Sequence, residues 1–176
     1  MYASYDTIDQ RPALFFERQI AHPVESVWEA ITQPADLAQW FPCEVEVDLR
    51  LGGRMTFVFP EMTLPDEAST LLGEVTELDP PTRFSFLWGE DHLHFALEPL
   101  GDGAACVLRF TVELDARNKA ARDAAGWHVC LDGLERLLDG NRMERPSAPD
   151  EWRPLYEAYE RRGLPTGAVV PESHQA

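Results

Sequence analysis

The stretch Ile20-Ala21-His22-Pro23-Val24-Glu25-Ser26-Val27-Trp28-Glu29-Ala30-Ile31 decides the fold of this chain. A strand is predicted to end at Pro23 and a helix to begin there. The proline ring fixes φ and lacks an N–H, which would have no partner at the first helical position. Glu25 lies in the first turn, where the helix dipole favours an anion. The apolar residues recur on one helical face, at Val24, Val27, Trp28 and Ile31.

A second short helix is predicted directly after the first, beginning at Pro34 and stopped by Pro42. Its apolar face carries Leu37, Trp40 and Phe41. A strand is predicted before both helices, over residues 14–21. The chain therefore begins its fold as one strand followed by two short helices.

Alternating apolar and polar residues predict a series of strands after the two helices. The clearest is 106–115, where apolar residues occupy every second position from Cys106 to Leu114. Such alternation gives one buried and one solvated face, which is typical of an antiparallel sheet. Residues 60–70 are predicted to form a flexible loop at the mouth of the space that the sheet encloses. The predicted strands are 43–50, 55–59, 71–78, 83–88, 92–99 and 106–115.

A long helix is predicted over residues 118–140, with Gly140 as its C-terminal cap. Its apolar seam consists of Trp127, Cys130, Leu131, Leu134, Leu137 and Leu138. Residues 141–150 are predicted to be a linker to a last short helix, and 166–176 to be disordered. The apolar residues of that last helix are Trp152, Leu155, Tyr156 and Tyr159.

Composition excludes several classes of partner. The chain has 176 residues and a formal net charge of −16 at pH 7, and such a field repels nucleic acids and anionic membranes. Three cysteines without a Cys-x-x-Cys pair favour a reducing compartment. Neither a signal peptide nor an apolar run of the ~18 residues that span a membrane is evident. We therefore expect a cytoplasmic protein.

Several motifs fall in a characteristic order along residues 12–140. They are Arg18-x-Ile20, Pro23-x-x-x-Val27-Trp28-x-Ala30, Leu37-x-x-Trp40-Phe41, Gly52-Gly53, Gly73-x-Val75-x-Glu77-x-x-Pro80-Pro81 and Gly126-Trp127. This order resembles the START-like (SRPBCC) superfamily, in the branch named after the activator of the ninety-kilodalton heat-shock chaperone's ATPase. The resemblance implies an α+β helix-grip fold, in which a curved antiparallel sheet wraps around a long C-terminal helix. Residues 141–176 would form a C-terminal extension with one short helix and a disordered tail.

The resemblance also implies a container for a small apolar or amphipathic molecule, between the sheet and the long helix. A cyclase- or hydrolase-type enzyme in the same cavity is one alternative, and a protein-interaction module such as a co-chaperone is another. The interaction module predicts an exposed apolar patch around Trp152 and Tyr156. No cofactor is expected, and a monomer and a homodimer are both open. The candidate ligand-binding residues are Trp28, Trp40, Phe57, Phe59, Trp88, Phe95, Trp127, Leu131, Arg18 and His128.

Two polar residues of this set have alternative roles. Arg18 shares a strand face with apolar residues, and a buried guanidinium needs an acidic partner, which a ligand or the protein itself could supply. His128 follows Trp127, so it is either a base at the cavity rim or an ordinary surface histidine.

A metal site is considered at Glu90, His92 and His94, which alternate along one strand. Leu93 and the apolar residues at every second position after it form the buried face of that strand, so the histidines between them are predicted to face solvent. Because the nearby sequence offers no further ligand cluster, no bound metal is expected.

Overall fold

A computed structural model describes residues 1–59, 70–141 and 149–170. Eight strands form one antiparallel sheet in the order β1-β2-β8-β7-β6-β5-β4-β3. Helices α1 and α2 follow β2, and α3 and α4 follow β8. The elements are β1 Ser4–Ile8, β2 Arg11–Ile20, α1 Val24–Thr32, α2 Pro34–Trp40, β3 Glu44–Val47, β4 Arg54–Val58, β5 Thr70–Asp79, β6 Arg83–Trp88, β7 Asp91–Leu100, β8 Ala105–Glu113, α3 Ala120–Leu138 and α4 Pro149–Arg161.

The α+β helix-grip prediction is confirmed. The early strand β2 pairs with the last strand β8, which lies between β2 and β7. One face of these strands is apolar and packs toward the helices, while the opposite face carries polar side chains such as His94 and Thr111. We call these the inner and outer faces of the sheet.

Helix α3 supplies the apolar surface against which the inner face packs. Leu131 and Leu134 are fully buried, and Trp127 and Cys130 are nearly so. Leu137 and Leu138 are partly buried at the end of the helix. At ~1.5 Å per residue, the 19-residue helix is about 28 Å long. The apolar seam therefore extends along much of the core.

Strand β1 was not predicted from the sequence. Its five residues are mostly exposed, with only Tyr5 and Ile8 half-buried, so the strand lacks a clear alternating signal. The turn into β2 uses Asp9 and Gln10, both with positive φ (46° and 72°), in place of the glycine that usually marks such a hairpin. An edge strand with one neighbour needs little apolar burial, which explains why the pattern missed it.

The two short helices are confirmed, with one correction at their start. Pro23 caps α1 with an extended backbone rather than occupying its first turn, whereas Pro34 does lie in the first turn of α2. The fully buried Trp40 donates a hydrogen bond from Nε1 to the carbonyl oxygen of Ala30, 2.9 Å away. This bond fixes α2 against α1 inside the core.

Helix α4 packs against α3. Tyr159 is fully buried, while Trp152 and Tyr156 are partly buried against the core and stack with their ring centroids 5.0 Å apart. The described part of the predicted tail, residues 166–170, includes Ala168, whose N–H donates to the carbonyl of Asn118 at 3.1 Å. Residues 60–69 of the predicted loop, 142–148 of the predicted linker and 171–176 of the predicted tail lie outside the described residues.

We expect Leu134→Ala to lower the free energy of unfolding by about 2–5 kcal/mol, because truncating a fully buried leucine loses apolar burial and leaves a cavity. Denaturant unfolding measures this change. Leu72→Ala, at a side chain that is 60% exposed, is the matched control and should have little effect. Equal losses in the two variants would show that α3 does not form the core described here.

Candidate functional site

Aromatic rings fill the space between the inner face of the sheet and helix α3. Phe57 on β4 and Trp88 on β6 have ring centroids 4.5 Å apart, and Trp88 lies 5.9 Å from Trp127 on α3. Trp127 also contacts Phe110 at 5.2 Å. These separations are those of aromatic pairs in direct contact. We call the set the aromatic cluster: Trp40, Phe41, Phe57, Phe86, Trp88, Phe95, Phe110 and Trp127.

Strand parity explains how distant parts of the sequence supply these rings. Side chains alternate between faces along a strand, so Phe84, Phe86 and Trp88 all reach the inner face from β6. Phe95 and Phe110 are direct partners on β7 and β8, and their stacked rings lie 4.4 Å apart.

Burial divides the predicted ligand-binding residues into two groups. Trp40, Phe57 and Leu131 are fully buried, and Phe95 and Trp127 are 2% and 7% exposed. Their surfaces are covered by neighbouring side chains, so in the described structure they act as packing residues. Trp28, Phe59 and Trp88 are half-buried and keep accessible ring surface.

The three half-buried aromatic residues lie at two separate places. Phe59 contacts Trp88, with centroids 5.7 Å apart, at the end of β6. Trp28 instead contacts Phe84 at 6.3 Å, near the beginning of the same strand. Four residues along a strand correspond to about 13 Å. The cluster is thus accessible at the Phe59–Trp88 end, while Trp28 lies toward the opposite end of β6.

Arg18 is buried, as its strand parity predicts, and its partners belong to the protein. Its Nε lies 3.0 Å from Oε1 of Glu135, and its Nη2 lies 3.3 Å from Oδ1 of Asp132. Nη1 also donates to the carbonyl oxygen of Met1. The buried Oε1 of Glu135 has no hydrogen-bond partner among the described residues, so its contact with Arg18 has the distance of an ion pair without hydrogen-bond geometry. The guanidinium joins β2 to α3 and to the N-terminal residues.

His128 is buried rather than a surface histidine. Its Nδ1 lies 2.9 Å from the hydroxyl oxygen of Tyr159, and that oxygen accepts a hydrogen bond from the N–H of Ala3 at 3.0 Å. Burial raises the pKa of Tyr159 to about 12, so its hydroxyl keeps its proton, and it donates to Nδ1 in the tautomer whose Nε2–H faces Asp132. Nε2 of His128 then carries the imidazole proton and points toward Asp132, 3.7 Å away.

The partners of Arg18 and His128 lie on α3, on α4 and in the N-terminal residues. Both side chains therefore hold these segments together. The enzyme alternative, which relied on these two residues for its polar chemistry, gains no support from their positions.

Sequence reasoning found only part of a polar group on the outer face, since it named His92 and His94 but missed Glu113. His92 and His94 have ring centroids 4.0 Å apart, and Nε2 of His94 lies 2.9 Å from Oε1 of Glu113. Glu113 is 19 residues away from His94 and becomes a neighbour because β7 pairs with β8, placing it directly opposite His92. Glu90 lies in the turn before β7 and not on the strand. Pairing the two predicted strands with their polar residues on the same face would have placed Glu113 beside the histidines.

With these positions known, similarity to other proteins identifies the family. The family model described as "Activator of Hsp90 ATPase homolog 1-like protein" matches residues 21–139. The chain belongs to this family. The match includes α1 to α3, and thus every member of the aromatic cluster. No curated protein matches the sequence.

Solved structures share the fold at low sequence identity. A conserved protein of unknown function from Enterococcus faecalis is 21% identical, with 91% of this chain and 89% of that chain covered and a TM-score of 0.71. CalU16 from Micromonospora echinospora is also 21% identical, with 90% and 94% covered and a TM-score of 0.65. DynU16, a protein in the dynemicin biosynthetic locus, is 24% identical, with 76% and 49% covered and a TM-score of 0.63. These likenesses show that the fold is shared. Among the residues described, none of the helices has the length and apolar character needed to cross a membrane.

The contact between His128 and Tyr159 predicts a dependence of stability on pH. Burial lowers the pKa of His128 below its ordinary value of 6.5, although nearby Asp132 opposes this shift. The unfolded chain therefore binds a proton more readily than the folded chain. The stabilisation is present above pH 6.5 and is lost as the pH falls through the lower folded-state pKa.

We expect His128→Asn to remove this contribution, because an amide oxygen can accept from Tyr159 without titrating. The difference in unfolding free energy between wild type and variant should fall from pH 7.5 to pH 5, as measured by denaturant titration. His92, whose pKa burial also lowers, is present in both proteins and cancels. A difference that stays constant with pH would contradict the assignment of the acceptor at Nδ1.

Proposed function

We propose that this protein binds a small apolar or amphipathic molecule at the Phe59–Trp88 end of the aromatic cluster. The observation that carries the proposal is the position of Trp88. Trp88 is only half-buried, while its ring contacts the buried rings of Phe41, which follows α2, Phe57 on β4 and Trp127 on α3. A ligand bound at Trp88 would therefore pack against the existing aromatic cluster.

The side chains at the Phe59–Trp88 end of the aromatic cluster favour flat or apolar molecules. Aromatic side chains offer large apolar contact area and lose little conformational entropy when a ligand immobilises them. Phe41 and Phe57, directly behind Trp88, are 1% and 0% exposed, so the base of the site is fixed by the core. The net charge of −16 disfavours anionic ligands at long range. Neutral or cationic amphipathic molecules are therefore the preferred class.

The family and the shared folds add support of a different kind. The matched family and its START-like fold belong to a class that encloses ligands between sheet and helix, and DynU16 comes from a biosynthetic locus. The interaction-module alternative is less well supported, since Trp152 and Tyr156 are partly covered by packing on α3.

A dye titration tests the proposal. The neutral dye Nile red should show a saturable rise in fluorescence with wild-type protein. Trp88→Leu should weaken its affinity by about 2- to 10-fold, the range expected for an aromatic contact of 0.5–1.5 kcal/mol. Trp28→Leu is the matched control, because Trp28 is also half-buried but contacts Phe84 near the other end of β6.

Melting curves of both variants establish that they remain folded. Displacement of the dye by unlabelled flat aromatic compounds would extend the result to a ligand class. The proposal fails if wild type shows no saturable binding, or if the two tryptophan variants weaken binding equally.

A further inference from the structure

A second group of side chains with defined chemistry lies on the outer face of the sheet, opposite the aromatic cluster. His94 and Phe95 are neighbours on β7 and point to opposite faces, so this group is separate from the proposed ligand site. One ligand atom from each of His92, His94 and Glu113 lies within 4.8 Å of the others. All three residues are half-buried, which keeps them reachable from solvent.

We propose that His92, His94 and Glu113 form a binding site for a divalent transition metal ion of the zinc class. Two imidazoles and one carboxylate are a ligand set that zinc and similar ions accept, and three protein ligands leave a position for water. Tetrahedral sites with metal–ligand distances of about 2.0–2.2 Å need ligand atoms roughly 3.4 Å apart. Nε2 of His94 and Oε1 of Glu113 are 2.9 Å apart, so a metal ion would move them about half an ångström further apart. Small rotations of half-buried side chains adjust this spacing and bring the third ligand into range.

The hydrogen bonds of His94 favour a cation at its Nε2. Ser85 donates its hydroxyl proton to Oε2 of Glu77 at 2.9 Å, so its oxygen accepts from Nδ1–H of His94 at 3.1 Å. A ring that donates from Nδ1 directs Nε2 at the carboxylate of Glu113. A single proton can bridge these two atoms at 2.9 Å, and a metal ion can take the place of that proton once the atoms separate to roughly 3.4 Å.

Residues behind the ligands already orient them as metal sites require. The Glu77–Ser85–His94 chain fixes the His94 ring through the nitrogen that would not bind metal, a common arrangement at such sites. Ser85 is 1% exposed, so this support is rigid. The ring of His92 is held through a 2.7 Å hydrogen bond between its Nε2 and Oγ1 of Thr76.

An irregularity in β5 makes these supports possible. The pairing of β5 with β6 shifts register between Val75 and Glu77, as a β-bulge does. Thr76 and Glu77 are consecutive, yet both contact residues of the outer face, namely His92 and Ser85. Bulges re-aim side chains and are frequent beside functional sites. A regular strand would have turned one of the two side chains inward.

Arg11 is the nearby positive charge that the site must tolerate. Its Nε lies 3.9 Å from Oε2 of Glu113, while Oε1 is the oxygen that faces His94. The two oxygens thus serve different partners. Arg11 will weaken the metal site by repulsion, but its side chain is 44% exposed and can move into solvent.

The experiment uses the full chain, freed of metal by chelation, with Zn²⁺ in calorimetry and Co²⁺ in visible absorption. We expect saturable Zn²⁺ binding with one site per chain. The visible absorption spectrum of the Co²⁺-loaded protein should be typical of an ion with a low coordination number. The absence of a sulfur-to-cobalt charge-transfer band would exclude the cysteines as ligands. His94→Gln and Glu113→Gln should each abolish or strongly weaken both signals. Ser85→Ala should weaken affinity by about 10- to 100-fold, since it removes the support of a ligand.

His22→Gln is the matched control, because the His22 side chain is 28% exposed against 30% for His94, and it pairs with Asp139 instead. It should bind Zn²⁺ like wild type, and melting curves show whether each variant is folded. Binding that survives both Gln variants at the site would reveal adventitious binding to the acidic surface and overturn the proposal. Failure of folded wild type to bind Zn²⁺ and Co²⁺ would also overturn it, since a proton would then lie between His94 and Glu113. Neither result bears on dye binding at Trp88.

Discussion

The burial of helix α3 against the inner face of the sheet is the constraint on which the rest of the structure depends. Leu131 and Leu134 are fully buried, and Trp127 meets rings from the sheet and from the end of α2. Apolar burial is non-directional and so does not by itself fix how the helix is rotated. Bulky rings restrict that rotation, because the Trp127 indole fits only where Phe41, Trp88 and Phe110 leave room for it.

Charged and polar contacts complete the positioning of α3 along the flank of its apolar seam. Arg18 reaches from β2 to Asp132 and Glu135, which are three residues apart and therefore on one helical face. Because the guanidinium is buried, removing either acid would leave a costly charge only partly compensated. Tyr159 contributes in a similar way by joining α4, His128 and the N–H of Ala3. Apolar packing and directional contacts thus act on adjacent faces of one helix, since His128, Asp132 and Glu135 lie beside the apolar seam.

Sequence reasoning found the elements whose signals are local. The proline-bounded helices, the alternating strand β8 and the seam of α3 each depend on neighbours within a few turns or one strand, and they were confirmed. Strand β1 was missed because its five residues are mostly exposed and pair with only one neighbouring strand. The burial of Arg18 could be predicted from its position on the apolar face of β2. Its partners Asp132 and Glu135 could be identified only from the packing of α3 against that strand.

The candidate sites show the same difference between local sequence signals and long-range contacts. Sequence reasoning named Phe57, Phe95 and Trp88 as candidates, but it could not separate covered side chains from accessible ones. That distinction depends on the contacts of several elements at once. Glu113 was missed as a neighbour of His94 because strand pairing joins them across 19 residues. The bulge at Thr76 is likewise invisible in the pattern, since it changes register without changing composition.

Trp127 and His128 are consecutive residues of α3 that face different assemblies, the aromatic cluster and the Tyr159 hydroxyl. Successive helical residues point about 100° apart, so a rotation of α3 about its axis moves the Trp127 and His128 side chains together. Turning α3 to admit a larger molecule beside Trp88 would pull the imidazole away from Tyr159.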